Sequence, residues 1–176
     1  MKVVIKMNNQ IKRKGFSLIE LIAVIAILGI AYAITFQIFT IQTRIYSNEI
    51  IKNDVQNSGR LCLNSLSDSI IKDSNNTNKP DPNPTDTPEA FTGSNFEPKL
   101  KILSYTQGNY WYVLNKNNNQ LYKITTNNSS IVANNVVDVT VDNISNKLYK
   151  ITVRINKGNY TKDFETEVSL RDEEGL

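Results

Sequence analysis

Histidine does not occur in the 176 residues. Its absence removes the commonest general base, the commonest metal ligand and every Ser-His or Cys-His pair. The seven glycines are isolated, so they form no loop that could cradle a phosphate. Carboxylate-only chemistry, as in glycosidases, needs two acids facing each other across a cleft. Acidic residues after the N-terminal third mostly fall in turns or at outward strand positions, and no pair is set in an apolar pocket. The chain therefore reads as non-enzymatic, with no cofactor and no metal. One carboxylate does stand where its charge must matter. Glu20 is the only charged residue among the 26 from Phe16 to Ile41. At depth in lipid a lone carboxylate costs roughly 2.5–3.5 kcal/mol on insertion scales, so it needs a partner.

The residues leading into that run are Lys14-Gly15-Phe16-Ser17-Leu18-Ile19-Glu20-Leu21. This octet resembles the processing motif of type IV prepilins and pseudopilins. The likeness continues from Leu21 through Ile30 and includes Gly29. The resemblance implies that a prepilin peptidase cuts after Gly15 and methylates Phe16 as the new N-terminal residue. It implies, too, that Glu20 meets the N-terminal amine of a neighbouring subunit during filament assembly. One departure is Gln37, which stands where many major pilins have a proline.

Charge and length fit that frame. The formal charge is +3, but Lys2, Lys6, Lys12, Arg13 and Lys14 all precede Gly15 with no acid among them. The remainder holds 15 basic and 17 acidic residues, a net of −2, which gives no argument for nucleic-acid binding. Basic residues flank the cytoplasmic end of a membrane helix, so residues 1–15 are expected inside and the C-terminal part outside. No short apolar region ending in small residues marks an ordinary secretory signal. The run from Phe16 to Ile41 spans about 39 Å as a helix, more than the ~30 Å hydrocarbon core of a bilayer. Cys62 is the only cysteine and is expected to pack as a small apolar residue. Asparagine is abundant, so triplets such as Asn143-Ile144-Ser145 arise by chance and carry no assigned role.

Four segments are expected in chain order: a cleaved leader (1–15), a long helix (16–73, with 16–41 transmembrane), a Pro/Asn-rich loop (74–98) and a sheet domain (99–176). Beyond Ile41 the helix turns amphipathic. Ile41, Ile45, Val55, Cys62, Leu66 and Ile70 share one side at about 100° per residue. The continuous helix would run about 85 Å. Gly59 lies on that side, where a missing side chain would let another backbone approach closely, although plain packing of this half-helix against a sheet is the expected arrangement. All five prolines lie between residues 80 and 98 among Ser, Thr, Asn and Asp, which marks a loop. Asp81, Asn83 and Asp86 are oxygen ligands in that loop, without the glycine and distal glutamate of a calcium motif.

From Lys99 onward the period changes to two. Leu100–Tyr105, Tyr110–Leu114 and Gln120–Thr126 read as strands. Val137, Val139 and Val141 alternate with Asp138, Thr140 and Asp142, and Tyr149 to Ile155 and Phe164 to Leu170 follow the same rule. About six antiparallel strands result, with one apolar face for the helix to cover. Tyr110-Trp111-Tyr112 is expected to pack in the core with Trp111 facing away from the two tyrosines. Asp172, Glu173 and Glu174 read as a solvated tail.

The stretch from Asn135 through Lys147–Ile155 to Glu167-Val168-Ser169-Leu170-Arg171 resembles the end of J-type pseudopilins and related minor pilins. The fold expected is thus α+β and pilin-like, a long N-terminal helix on an antiparallel sheet. The function expected is that of a minor pilin or pseudopilin. Its partners would be prepilin peptidase, other pilin subunits, an assembly platform in the cell membrane and the bilayer itself. The location would be the cell membrane, then an extracellular filament or pseudopilus. The alternative is a membrane-tethered surface binding or adhesin domain whose helix is a simple anchor.

Overall fold

The computed structural model describes residues 15, 17–74, 79–88, 91–104, 108–125 and 128–170. Phe16, the rest of the leader, Tyr105, Thr126 and the acidic tail from Arg171 lie outside the described residues. The protein is α+β: the described residues form one helix, α1 (Leu18–Asp73), and seven antiparallel strands in two sheets. It divides into two compact units between Tyr46 and Ser47, and α1 is a single element across that boundary.

In the first unit α1 is apolar all round. Leu18, Ile22, Ile25, Phe36 and Ile41 are exposed in the single chain. The hydroxyls in this run are satisfied within the helix: Thr35 Oγ1 donates to the Ala31 carbonyl at 2.8 Å and Thr40 Oγ1 to that of Phe36 at 2.9 Å. A threonine bonded to the preceding turn presents only its methyl to a surrounding apolar medium. The helix is unbroken through Gln37, as expected where no proline removes a backbone donor.

In the second unit α1 buries Val55, Gly59, Cys62, Leu66, Ser69 and Ile70, a stripe at helical spacing. Ile41 and Ile45, expected on the same stripe, are exposed and belong to the first unit. The first sheet has the order β1 (Phe96–Ile102), β2 (Tyr110–Asn115), β3 (Gln120–Thr125), β4 (Ser129–Asn134). The second is β5 (Val136–Ser145), β6 (Leu148–Lys157), β7 (Tyr160–Ser169). One core joins them: Leu100, Tyr110, Tyr112, Leu114 and Leu121 of the first sheet and Val139, Tyr149, Ile151, Val153, Ile155 and Val168 of the second cluster with the helix stripe.

Three expectations need correction. The strand expected from Leu100 begins at Phe96, inside the span expected as loop, and it contains Pro98. The proline is tolerated because β1 is an edge strand and its register shifts between Pro98 and Leu100. Second, β4 was not expected at all, because Ser129-Ser130-Ile131-Val132 does not alternate. Third, Val137 is 42% exposed while Val136 is buried, since a register shift between Val136 and Asp138 turns the strand over by one residue. Of the two readings at Gly59, the structure has helix-on-sheet packing and not a close backbone. A Cβ there would collide with the ring of Phe164 on β7.

The first sheet is also apolar on both sides. Trp111, Val113, Tyr122 and Ile124 share the face away from α1, and Val113 and Ile124 are buried. Phe91 covers this side, its ring 5.8 Å from Tyr122 and 5.3 Å from Phe96. The described residues between the helix and β1 are thus part of the fold. Asp81 pairs with Lys101 by two backbone hydrogen bonds of 2.9 Å, and Asp86 forms an ion pair with Lys101 at 2.6 Å.

Candidate processing and assembly site

The first helical bond of α1 runs from Leu21 N–H to the Ser17 carbonyl, at 3.2 Å. Three residues on from Ser17, the Glu20 carboxylate accepts the Ser17 backbone N–H at 2.9 Å. Ser17-Leu18-Ile19-Glu20 has the sequence of a capping box, and this contact is the box's Glu half. Glu20 also lies in the first turn, where the helix dipole favours a negative charge. Local structure therefore turns this carboxylate back toward the chain entering the helix. Gly15 is exposed, with open space where a side chain would be. The structure describes Gly15 and Glu20 and not Phe16 between them. Ser17 was not singled out in the sequence, although the Ser-x-x-Glu spacing was there to read.

The second unit holds several polar clusters that fasten α1 to the sheets. Tyr112 Oη lies 2.8 Å from Ser65 Oγ and 2.7 Å from Ser69 Oγ, and donates to the Ser65 carbonyl at 2.9 Å. Tyr110 Oη donates to Asp73 at 2.5 Å. Burial pushes the Tyr112 hydroxyl's pKa up, so it stays a neutral donor. Lys157 at the end of β6 pairs with Asp54 on the helix. Cys62 is buried, and desolvation raises its thiol pKa to about 12. It packs as the small apolar residue expected.

Across the two sheets, Lys99 on β1 reaches Glu97 at 3.0 Å and Asp138 on β5 at 2.7 Å. The Lys99 side chain is only 11% exposed, so the two carboxylates supply the solvation that water does not. The oxygen-rich residues of the loop are similarly engaged. Asp81 accepts the Asn83 N–H at 3.0 Å, and Asp86 is held by Lys101. Among the described residues no three His, Cys, Asp or Glu side chains come together as a metal set.

A family model described as the prokaryotic N-terminal methylation motif matches residues 11–36. The match is confined to the N-terminal segment, which is similar to that of type IV pilin-like precursors. It implies processing by prepilin peptidase and assembly with other pilin subunits. α1 is long and apolar enough to cross a membrane, as such a precursor requires. Comparison with curated proteins and with solved structures found no significant match.

Proposed function

We propose that the protein is a minor subunit of a type IV pilus or a related pseudopilus. Residues 1–15 are removed after Gly15, Phe16 becomes the methylated terminus, and Glu20 provides the charge that an incoming subunit's amine meets. The observation carrying this reading is the Glu20 carboxylate, folded back onto Ser17 N–H at the head of an exposed apolar helix within the matched motif. It already lies one residue from where cleavage would create an amine. In the bilayer, residues 16–41 hold the subunit with the basic leader inside and the sheet domain outside. The likeness of residues 135–171 to J-type pseudopilins supports a minor rather than a major subunit. Such a component primes, caps or modifies a filament rather than forming its shaft.

The test is the intact mass and N-terminal sequence of protein extracted from membranes, made with and without a prepilin peptidase. A terminus at Phe16 bearing one extra methyl group is the expected result. A chain that keeps residues 1–15 in both samples would leave a tethered surface domain instead.

A further inference from the structure

Two lysines on the later half of α1 find carboxylates one turn away: Lys52 reaches Glu49 at 3.2 Å and Lys72 reaches Asp68 at 3.1 Å. Arg44 is differently placed. Its neighbours on the helix surface, three or four residues away, are Thr40, Ile41, Ser47 and Asn48, and none is acidic. The nearest acid along the chain, Glu49, lies five residues on and already holds Lys52. Arg44 is exposed, and among the described residues no ion pair includes it.

What precedes Arg44 sets its level. No residue from Leu21 to Thr43 carries a charge. In the last turn of that run, the Thr43 hydroxyl donates to the Thr40 carbonyl at 2.9 Å and is bonded within the helix. Glu20 closes the run at one end and Arg44 at the other. They are about 36 Å apart along the axis, against a hydrocarbon thickness of ~30 Å. A helix crossing the bilayer upright therefore brings each charge to about 3 Å outside the hydrocarbon. Phospholipid phosphates lie just beyond that boundary, and an arginine's flexible stem lets its guanidinium reach them. Tyr46, 70% exposed, stands two residues further on, at the level where tyrosine is enriched in membrane helices.

We propose that Arg44 binds the phosphate of a phospholipid in the leaflet opposite the leader, and that this contact sets the depth at which α1 sits. The proposal rests on the membrane-spanning reading above. The guanidinium offers paired N–H donors, and a phosphodiester offers two unesterified oxygens to accept them. The hydrocarbon-embedded part of the span expected at 16–41 then runs from Leu21 to Thr43. Glu20 is held at the opposite edge of the hydrocarbon and not at its centre, which lowers the cost of keeping its carboxylate charged before a partner arrives. Removal of residues 1–15 would take away Lys12, Arg13 and Lys14 and leave Arg44 as the cation flanking the apolar run.

The test uses the full-length chain in vesicles of phosphatidylethanolamine and phosphatidylglycerol, in phosphate-free buffer. Arg13→Lys is made first, so that no leader arginine contributes. Phosphorus-dependent dephasing of arginine Cζ resonances in solid-state NMR reports a guanidinium seated on a lipid phosphate. Dephasing is expected in Arg13→Lys, abolished on adding Arg44→Lys, and unchanged on adding Arg60→Lys, which alters an exposed α1 arginine of the second unit. A dye on Gln42→Cys, read by nitroxide lipids at headgroup and acyl-chain depth, should move toward the bilayer centre when Arg44→Ala is added. No dephasing, dephasing that survives Arg44→Lys, or a dye depth indifferent to Arg44→Ala would each overturn the proposal. Carbonate extraction separates this from the reading beneath it: a chain that stays in the pellet is membrane-embedded however Arg44 behaves. A chain released by carbonate would sink the membrane reading, and the proposal with it.

Discussion

α1 is one helix with two unlike halves. Before Tyr46 its large apolar side chains point in every direction and are exposed; after Ser47 they narrow to a buried stripe of Val55, Cys62, Leu66 and Ile70. A stripe is what a helix needs when its own chain supplies a sheet to cover it. An all-round apolar surface finds no such cover among the described residues, and it suits a surrounding of lipid or other helices. The polar groups follow the same division. Thr35 and Thr40 bond back to their own helix, whereas Ser65 and Ser69 reach across to Tyr112 on β2.

Glu20→Ala should break that comparison most severely. In the exposed half Glu20 has no partner outside the chain's own Ser17 N–H among its described contacts, and its negative charge is what a subunit amine would seek. We expect filament incorporation to fall to a small fraction of wild type while cleavage after Gly15 proceeds. Immunoblots of sheared filaments and of membranes read the two outcomes separately. Normal incorporation of the variant would sink the charge-pairing role. If Glu20 serves only as a capping-box residue, Glu20→Gln should restore assembly, since Gln fits the same box. If the charge is what matters, Gln should fail as Ala does.

The buried half is sharpened by Gly59. Alanine is the better helix former by about 1 kcal/mol, so on an exposed face the change would stabilise. Here the added Cβ meets the Phe164 ring, and overpacking of this kind costs about 1–3 kcal/mol. Gly59→Ala should therefore lower the urea midpoint of the Trp111 fluorescence transition, measured on the full chain in detergent. In a Phe164→Leu background the same change should become neutral or stabilising. Equal effects in both backgrounds would remove Phe164 as the cause. Gly29 offers the contrast, because nothing lies within 4 Å of where its Cβ would be.

How much of this was legible beforehand follows from the range of the interactions. The helix stripe from Val55 to Ile70 and the alternation of Tyr149 to Ile155 are local patterns, and the structure buries those residues. The octet around Gly15 and Glu20 is local too, and it falls within the matched motif. The errors sit where a tertiary contact overrides a period. Val136 and Val137 exchange faces because a bulge adds one residue, and no pattern of two consecutive valines says which is inside. β4 is hidden because Ser129-Ser130-Ile131-Val132 sets two polar residues before two apolar ones instead of alternating them, and its pairing with β3 creates the strand. The choice of Phe164 as Gly59's neighbour joins residues over a hundred positions apart, which no local spacing encodes. The Lys99 contact between the sheets is hidden for the same reason.

That contact supports the smallest of the expected effects. The Lys116 hydrogen bond holds Glu97 below its ordinary pKa against partial burial, with Lys99 adding to the shift. Burial opposes ionisation of Asp138, but the Lys99 ammonium and the Val139 N–H outweigh it and hold that carboxyl below its ordinary value too. Groups whose folded pKa is depressed bind protons more readily when unfolded. Their contribution is therefore complete above the ordinary carboxylate range, near pH 4, and is lost as pH falls through it and below. Both carboxylates are partly exposed, so solvent and salt screening keep the effect small. Lys99→Met removes the shared cation and leaves two acids facing each other, so the acid-side slope of the urea midpoint should flatten between pH 5 and pH 3. Parallel slopes in the parent and Lys99→Met chains would mean that Lys99 adds no acid-sensitive fastening between the two sheets. A flattened slope would make Lys99 a polar fastening between them that responds to acid.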